Sequence, residues 1–135
     1  MRRPALRTLI LLWLIGILFP MAFLGNLWPA FGKVFNAVFA PGWMHLLMHA
    51  LLYAVLGFLL AIWIRPISAK HFLSLAGVIF LVGCLHETLQ LLTAGTWPGL
   101  LPELYDLLVD VSGAALGMGL WKFWPRRQVG NDTVA

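Results

Sequence analysis

Three small groups of ionisable and amide side chains interrupt otherwise apolar stretches of this chain: His45, His49 and Tyr53; Glu87 and Gln90; Asp106 and Asp110. Within each group the members lie three or four residues apart, the spacing that puts side chains on one face of a helix. Carboxylates beside imidazoles and a phenol allow three kinds of chemistry. They can hold a divalent cation through nitrogen and oxygen ligands. They can pass a proton, with one acid donating while another accepts. They can also bind a polar ligand. An Asp near the centre of a membrane helix costs roughly 2.5–3.5 kcal/mol of insertion, while a Leu contributes only about 0.3–0.6. Buried acids of this kind are functional or partner-binding by default.

The third group opens the stretch Asp106-Leu-Leu-Val-Asp110-Val-Ser-Gly113-Ala-Ala-Leu-Gly117. Its two acids and two glycines share one helical face. Small residues let another backbone approach closely in lipid, so this face, acids included, is expected to point into a bundle. Gly57 is expected to serve the same packing on a neighbouring span.

The elements that must position these groups follow from composition. Of 135 residues, 61% are hydrophobic and only 10% charged, too apolar for a dissolved domain. Four apolar stretches have membrane-spanning length. The expectation is an all-α integral membrane bundle, a single domain over residues 1–124, with spans at about 5–24, 43–64, 72–92 and 102–124. A solvated, disordered cytoplasmic tail is expected over 125–135. The first span reads as retained rather than as a cleaved signal peptide, because its apolar core is long and no small-x-small site follows. Pro20 should kink or close it. Between Pro29 and Pro41-Gly42, Phe31, Val34, Phe35, Val38 and Phe39 recur at helical steps. That pattern predicts a short outer interfacial helix at about 28–40, with a re-entrant loop as the competing reading. The lone Cys84 excludes a disulfide framework within the chain.

The net charge of +4 is a topology signal rather than a nucleic-acid footprint, since the basic residues cluster beside the apolar segments. With both termini cytoplasmic, the inner segments hold Arg2, Arg3, Arg7, Arg65, Lys70, Lys122, Arg126 and Arg127, and the outer ones only Lys33. In that orientation His49, Glu87 and Asp106 lie ~8–9 Å, and Asp110 ~14 Å, below the outer ends of their spans, at 1.5 Å per residue. His45, Tyr53, His86, Gln90 and Glu103 join them in one outer-leaflet layer. Three carboxylates in such a layer (Glu87, Asp106, Asp110) call for a shared proton or a cation.

The ordered set His49-x-x-x-Tyr53-x-x-x-Gly57, Glu87-x-x-Gln90 and Asp106 to Gly117 resembles the VanZ-like family of small bacterial membrane proteins, over roughly residues 43–117. The resemblance implies a multi-pass protein of the bacterial inner membrane and, for the founding member, an association with teicoplanin resistance. It supplies no established molecular activity. Three departures stand out: Asp110 replaces the family's usual Asn, His45-Leu46 stands where an Asp-Lys pair is frequent, and no Arg separates Gln90 from Asp106.

Four functions fit the layer. It can be structural glue, a site recognising a cell-envelope precursor, glycopeptide or partner helix, a membrane-embedded enzyme, or a proton or ion path. Recognition is the expectation, through His49, Tyr53, Glu87, Gln90, Asp106 and Asp110, with the lipid bilayer as surroundings. The layer has no evident nucleophile, which weighs against an enzyme, and no line of acids continues inward, which weighs against conduction. No cofactor is assigned; His45, His49 and Asp110 are the candidates should a metal be held.

Overall fold

The computed structural model describes residues 3–19, 21–39, 41–64, 68–94 and 98–123. They form six helices: α1 (Arg3–Leu18), α2 (Met21–Leu27), α3 (Pro29–Phe39), α4 (Gly42–Ile64), α5 (Ala69–Ala94) and α6 (Leu100–Phe123). Among the described residues there is no strand. Three of the helices, α4, α5 and α6, are long and apolar enough to cross a membrane. Their bounds match the expected second, third and fourth spans to within three residues. The expected tail at 125–135 lies outside the described residues.

The expected first span is not one helix. It divides into α1 and the seven-residue α2. Proline lacks the N–H that a helix needs and disfavours helical geometry in the residue before it, and α1 stops two residues short of Pro20. At 1.5 Å per residue, the sixteen residues of α1 reach only ~24 Å, below the ~30 Å hydrocarbon thickness. Among the described residues, three helices are therefore of spanning length. α2 and α3 then fold on each other as a tight hairpin. A Cβ on Gly32 would come within 2.7 Å of the Gly25 carbonyl oxygen.

Local chemistry sets the ends of the long helices. Ser68 Oγ accepts the backbone N–H of His71 at 3.3 Å, while the Ser68 N–H donates to His71 Nδ1 at 3.4 Å. This is a reciprocal cap on the first turn of α5 with histidine in the usual Glu/Gln position. Gly99, at φ 108°, takes the left-handed turn into α6 that other residues resist.

The core lies between α4 and α6, the most closely packed pair. A Cβ on Gly113 would collide with the Ala50 backbone, one on Gly117 with Ala54, and one on Gly57 with Ala114. These are backbone-to-backbone contacts that only small residues allow. Because α5 returns the chain across the bundle, α4 and α6 run parallel. Leu75 and Ile79 of α5 and Leu6, Ile10 and Ile17 of α1 close the core around them. Trp13 Nε1 donates to the Leu52 carbonyl at 2.9 Å, and the Arg7 guanidinium lies 6.0 Å from the Trp63 ring centre. The two contacts set α1 antiparallel to α4.

Candidate functional site

The polar residues of α4, α5 and α6 meet where α4 and α6 begin and α5 ends. On α4 and α6 the face that carries them is the packing face itself. Asp106 and Asp110 follow the same stripe as Gly113 and Gly117, so the backbone contact of the glycines also brings the acids to α4. His45 Nε2 lies 3.3 Å from Asp106 Oδ2, and His49 Nδ1 donates to Asp110 Oδ1 at 2.9 Å. Both pairs are 61 residues apart in sequence, the signature of two parallel helices in fixed register.

α5 inserts a third wall. Glu87 Oε1 stands 3.6 Å from the same His49 Nδ1, too far for a hydrogen bond but within ion-pair range. The His86 ring stacks on His49, with centroids 5.1 Å apart and planes 14° from parallel. Tyr53 Oη is 3.4 Å from His86 Nδ1, and Gln90 Nε2 is 2.8 Å from His86 Nε2. As placed, the Gln90 amide donates to Nε2, which leaves the Nδ1–H of His86 to donate to Tyr53.

The layer has two tiers. The inner one is closed: His49 is 3% exposed, His86 and Glu87 6%, Asp110 and Tyr53 0%. The outer tier is accessible, with the His45 side chain 41% and that of Asp106 15% exposed; Glu103 and Gln90 are partly exposed beside them. The expected open pocket is thus shallower than the residue set suggested. Only its outer tier can touch a bulky ligand.

Polar satisfaction is incomplete. Glu87 Oε1, Asp110 Oδ2 and Glu103 Oε2 are inaccessible and have no hydrogen-bond partner. Each buried orphan costs about 1–3 kcal/mol.

All six expected recognition residues sit in this layer, but their partners differ from what spacing alone suggests. Gln90 bonds His86 rather than standing with Glu87. His45 belongs to the outer tier with Asp106 and meets the inner cluster through its ring, 4.4 Å from that of His49. His86, placed in the polar layer by the sequence but not among the recognition residues, links Tyr53, Gln90 and His49. Gly83 was not singled out. A Cβ there would lie 2.8 Å from Leu107 Cδ2 and 3.1 Å from the orphaned Asp110 Oδ2, so its missing side chain makes room for the acid. The signal for both is spacing: Gly83, His86 and Gln90 step by three and four along one face of α5.

No protein-family model matches the chain, and no curated protein or solved structure shows significant similarity to it.

Proposed function

We propose that this chain is a VanZ-like protein of the bacterial inner membrane that recognises a cell-envelope ligand or partner at the outer membrane face. The ligand would supply N–H donors or positive charge to the outer tier of the polar layer. The carrying observation is chemical. Four of the chain's five acidic residues (Glu87, Glu103, Asp106 and Asp110) gather at one end of the α4–α5–α6 bundle, and in its outer tier Glu103 Oε2 lacks a hydrogen-bond partner beside the accessible carboxylate of Asp106. An acceptor-rich layer left unsatisfied by its own protein is complementary to a donor-rich visitor.

Four spans with both termini cytoplasmic complete this reading. α1 and α2 together would form the first span. Support comes from Leu6, Ile10 and Ile17, which bury α1 along the bundle, and from its antiparallel run beside α4. α3 would lie at the outer interface, with the aromatic ladder Phe31–Phe35–Phe39 on one side and Lys33 and Asn36 exposed. The basic residues then fall on the cytoplasmic side, as the positive-inside rule requires.

The test is expression in a glycopeptide-sensitive bacterial host. Wild type should raise teicoplanin tolerance, and Asp106→Asn and Glu103→Gln should each return it to the vector level at unchanged membrane abundance. A wild type without effect, or full tolerance in both variants, overturns the reading. The alternative, a membrane-embedded enzyme acting on a lipid-linked envelope substrate, draws on the inner tier.

A further inference from the structure

We infer that His49, His86, Glu87 and Asp110 form a binding site for one divalent transition-metal ion of the zinc class. The inference is independent of the envelope ligand proposed above, because it concerns the inner tier alone.

The donor set is the first argument. One ligand atom from each of the four residues lies within 4.8 Å of all the others, and all four residues are buried. Two imidazoles with two carboxylates form a borderline nitrogen–oxygen set, suited to Zn²⁺ and to Co²⁺, Fe²⁺ or Mn²⁺ rather than to soft-thiolate ions. Cys84 lies one helical turn before Thr88, whose hydroxyl bonds its carbonyl, and it is not among the clustered ligands.

Geometry is the second. A tetrahedron with bonds of about 2.0–2.1 Å has its ligand atoms roughly 3.3 Å apart. His49 Nδ1 already stands 2.9 Å from Asp110 Oδ1 and 3.6 Å from Glu87 Oε1. Those two distances bracket the tetrahedral spacing, and the remaining pairs, all within 4.8 Å, need only a modest contraction. Gly83 gives the Asp110 carboxylate its room, since a Cβ there would lie 3.1 Å from Asp110 Oδ2.

Charge is the third. A dication buried in a low-dielectric layer needs compensation, and two carboxylates with two neutral imidazoles leave no net charge. The metal would also occupy the unpartnered Glu87 Oε1, which is itself buried and 3.6 Å from His49 Nδ1. A hydrogen bond from His49 cannot serve both acids, since Nδ1 carries a single proton and Asp110 takes it.

The support around the ligands is the fourth. A metal-bound histidine characteristically donates its other N–H to a fixed acceptor. Gln90 sits 2.8 Å from His86 Nε2. Its amide oxygen and nitrogen are interchangeable in placement, and with the oxygen inward it accepts the Nε2–H and leaves the Nδ1 lone pair for the ion. The partly exposed His45–Asp106 pair lies between the cluster and the surface.

The full-length chain, purified in detergent, stripped with a chelator and titrated with Zn²⁺ and then Co²⁺, tests the site. Wild type should bind one equivalent. Co²⁺ should show the intense visible absorption of a tetrahedral site, and X-ray absorption on the Zn²⁺ form should report two imidazoles. The isosteric Glu87→Gln and Asp110→Asn should each weaken binding more than tenfold. Gln90→Leu should weaken it about 10–100-fold without changing the stoichiometry. His71→Gln, which keeps the α5 cap, should bind as wild type. A monodisperse, helical wild type that stays metal-free in excess Zn²⁺ overturns the inference. So does an absorption spectrum without imidazole scattering, which needs no variant to fold. Because no envelope ligand is present, these outcomes are read separately from teicoplanin tolerance.

Discussion

The α4–α6 contact joins two unlike halves. In one, Ala50 and Ala54 meet Gly113 and Gly117 backbone to backbone, with no room for a Cβ. In the other, His45 and His49 meet Asp106 and Asp110 through long polar side chains. The same helices, in the same register, use backbone contact at one end and polar side-chain contact at the other. The first half fixes how near the helices come. The second exploits the space that this distance leaves, and it does so imperfectly, keeping buried oxygens unpaired. Stability thus belongs to the small-residue half and specific chemistry to the polar half.

Gly117→Leu is the most severe way to break that division. Its side chain would enter the Ala54 backbone, and overpacking costs about 1–3 kcal/mol or more even where side chains can yield. Folded, detergent-extractable protein should fall at least roughly tenfold, measured by gel filtration against total expression.

A smaller effect is expected in the polar half, with a different pattern. Asp110→Leu alone leaves the His49 N–H buried without an acceptor and should cost about 1–3 kcal/mol, whereas His49→Leu/Asp110→Leu should be nearly neutral. Thermal unfolding of the two single variants and the double variant gives the coupling. A double variant as unstable as the sum of the singles would mean that the two side chains are not coupled, and would sink this account. His45→Ala should have the smallest effect, about 0.6 kcal/mol, because its side chain is 41% exposed.

These halves were unequally legible in the sequence. Apolar runs bounded by Trp43, Trp63 and turn residues marked α4, α5 and α6, since length and hydropathy alone identify such helices. The small-residue stripe of α6 and its direction followed from Gly113 and Gly117 at four-residue spacing. The break between α1 and α2 did not, because the apolar run continues through Pro20 and hydropathy does not register a missing N–H. Within the layer, periodicity told which residues share a helix face but not how helices are rotated against each other. His86 and Glu87 are sequence neighbours about 100° apart around α5. Both reach the layer because α5 wedges against α4 and α6 together, a fact of tertiary packing. Gly83 was silent for a related reason: what matters there is the volume of a neighbour, Asp110, on another helix.

The 61-residue separation of the His–Asp pairs also has a meaning for biogenesis. Synthesis runs from α4 to α6, so in a chain that spans the membrane as proposed the histidines are delivered to the bilayer first. At about 5–20 residues per second, the acids follow roughly 3–12 s later. An unpaired histidine can wait in the membrane as a neutral ring. A lone aspartate is far less tolerable there, and α6 carries two. The gene order therefore presents the costly residues last, to a partner already in place, and α6 can complete its insertion by docking on α4.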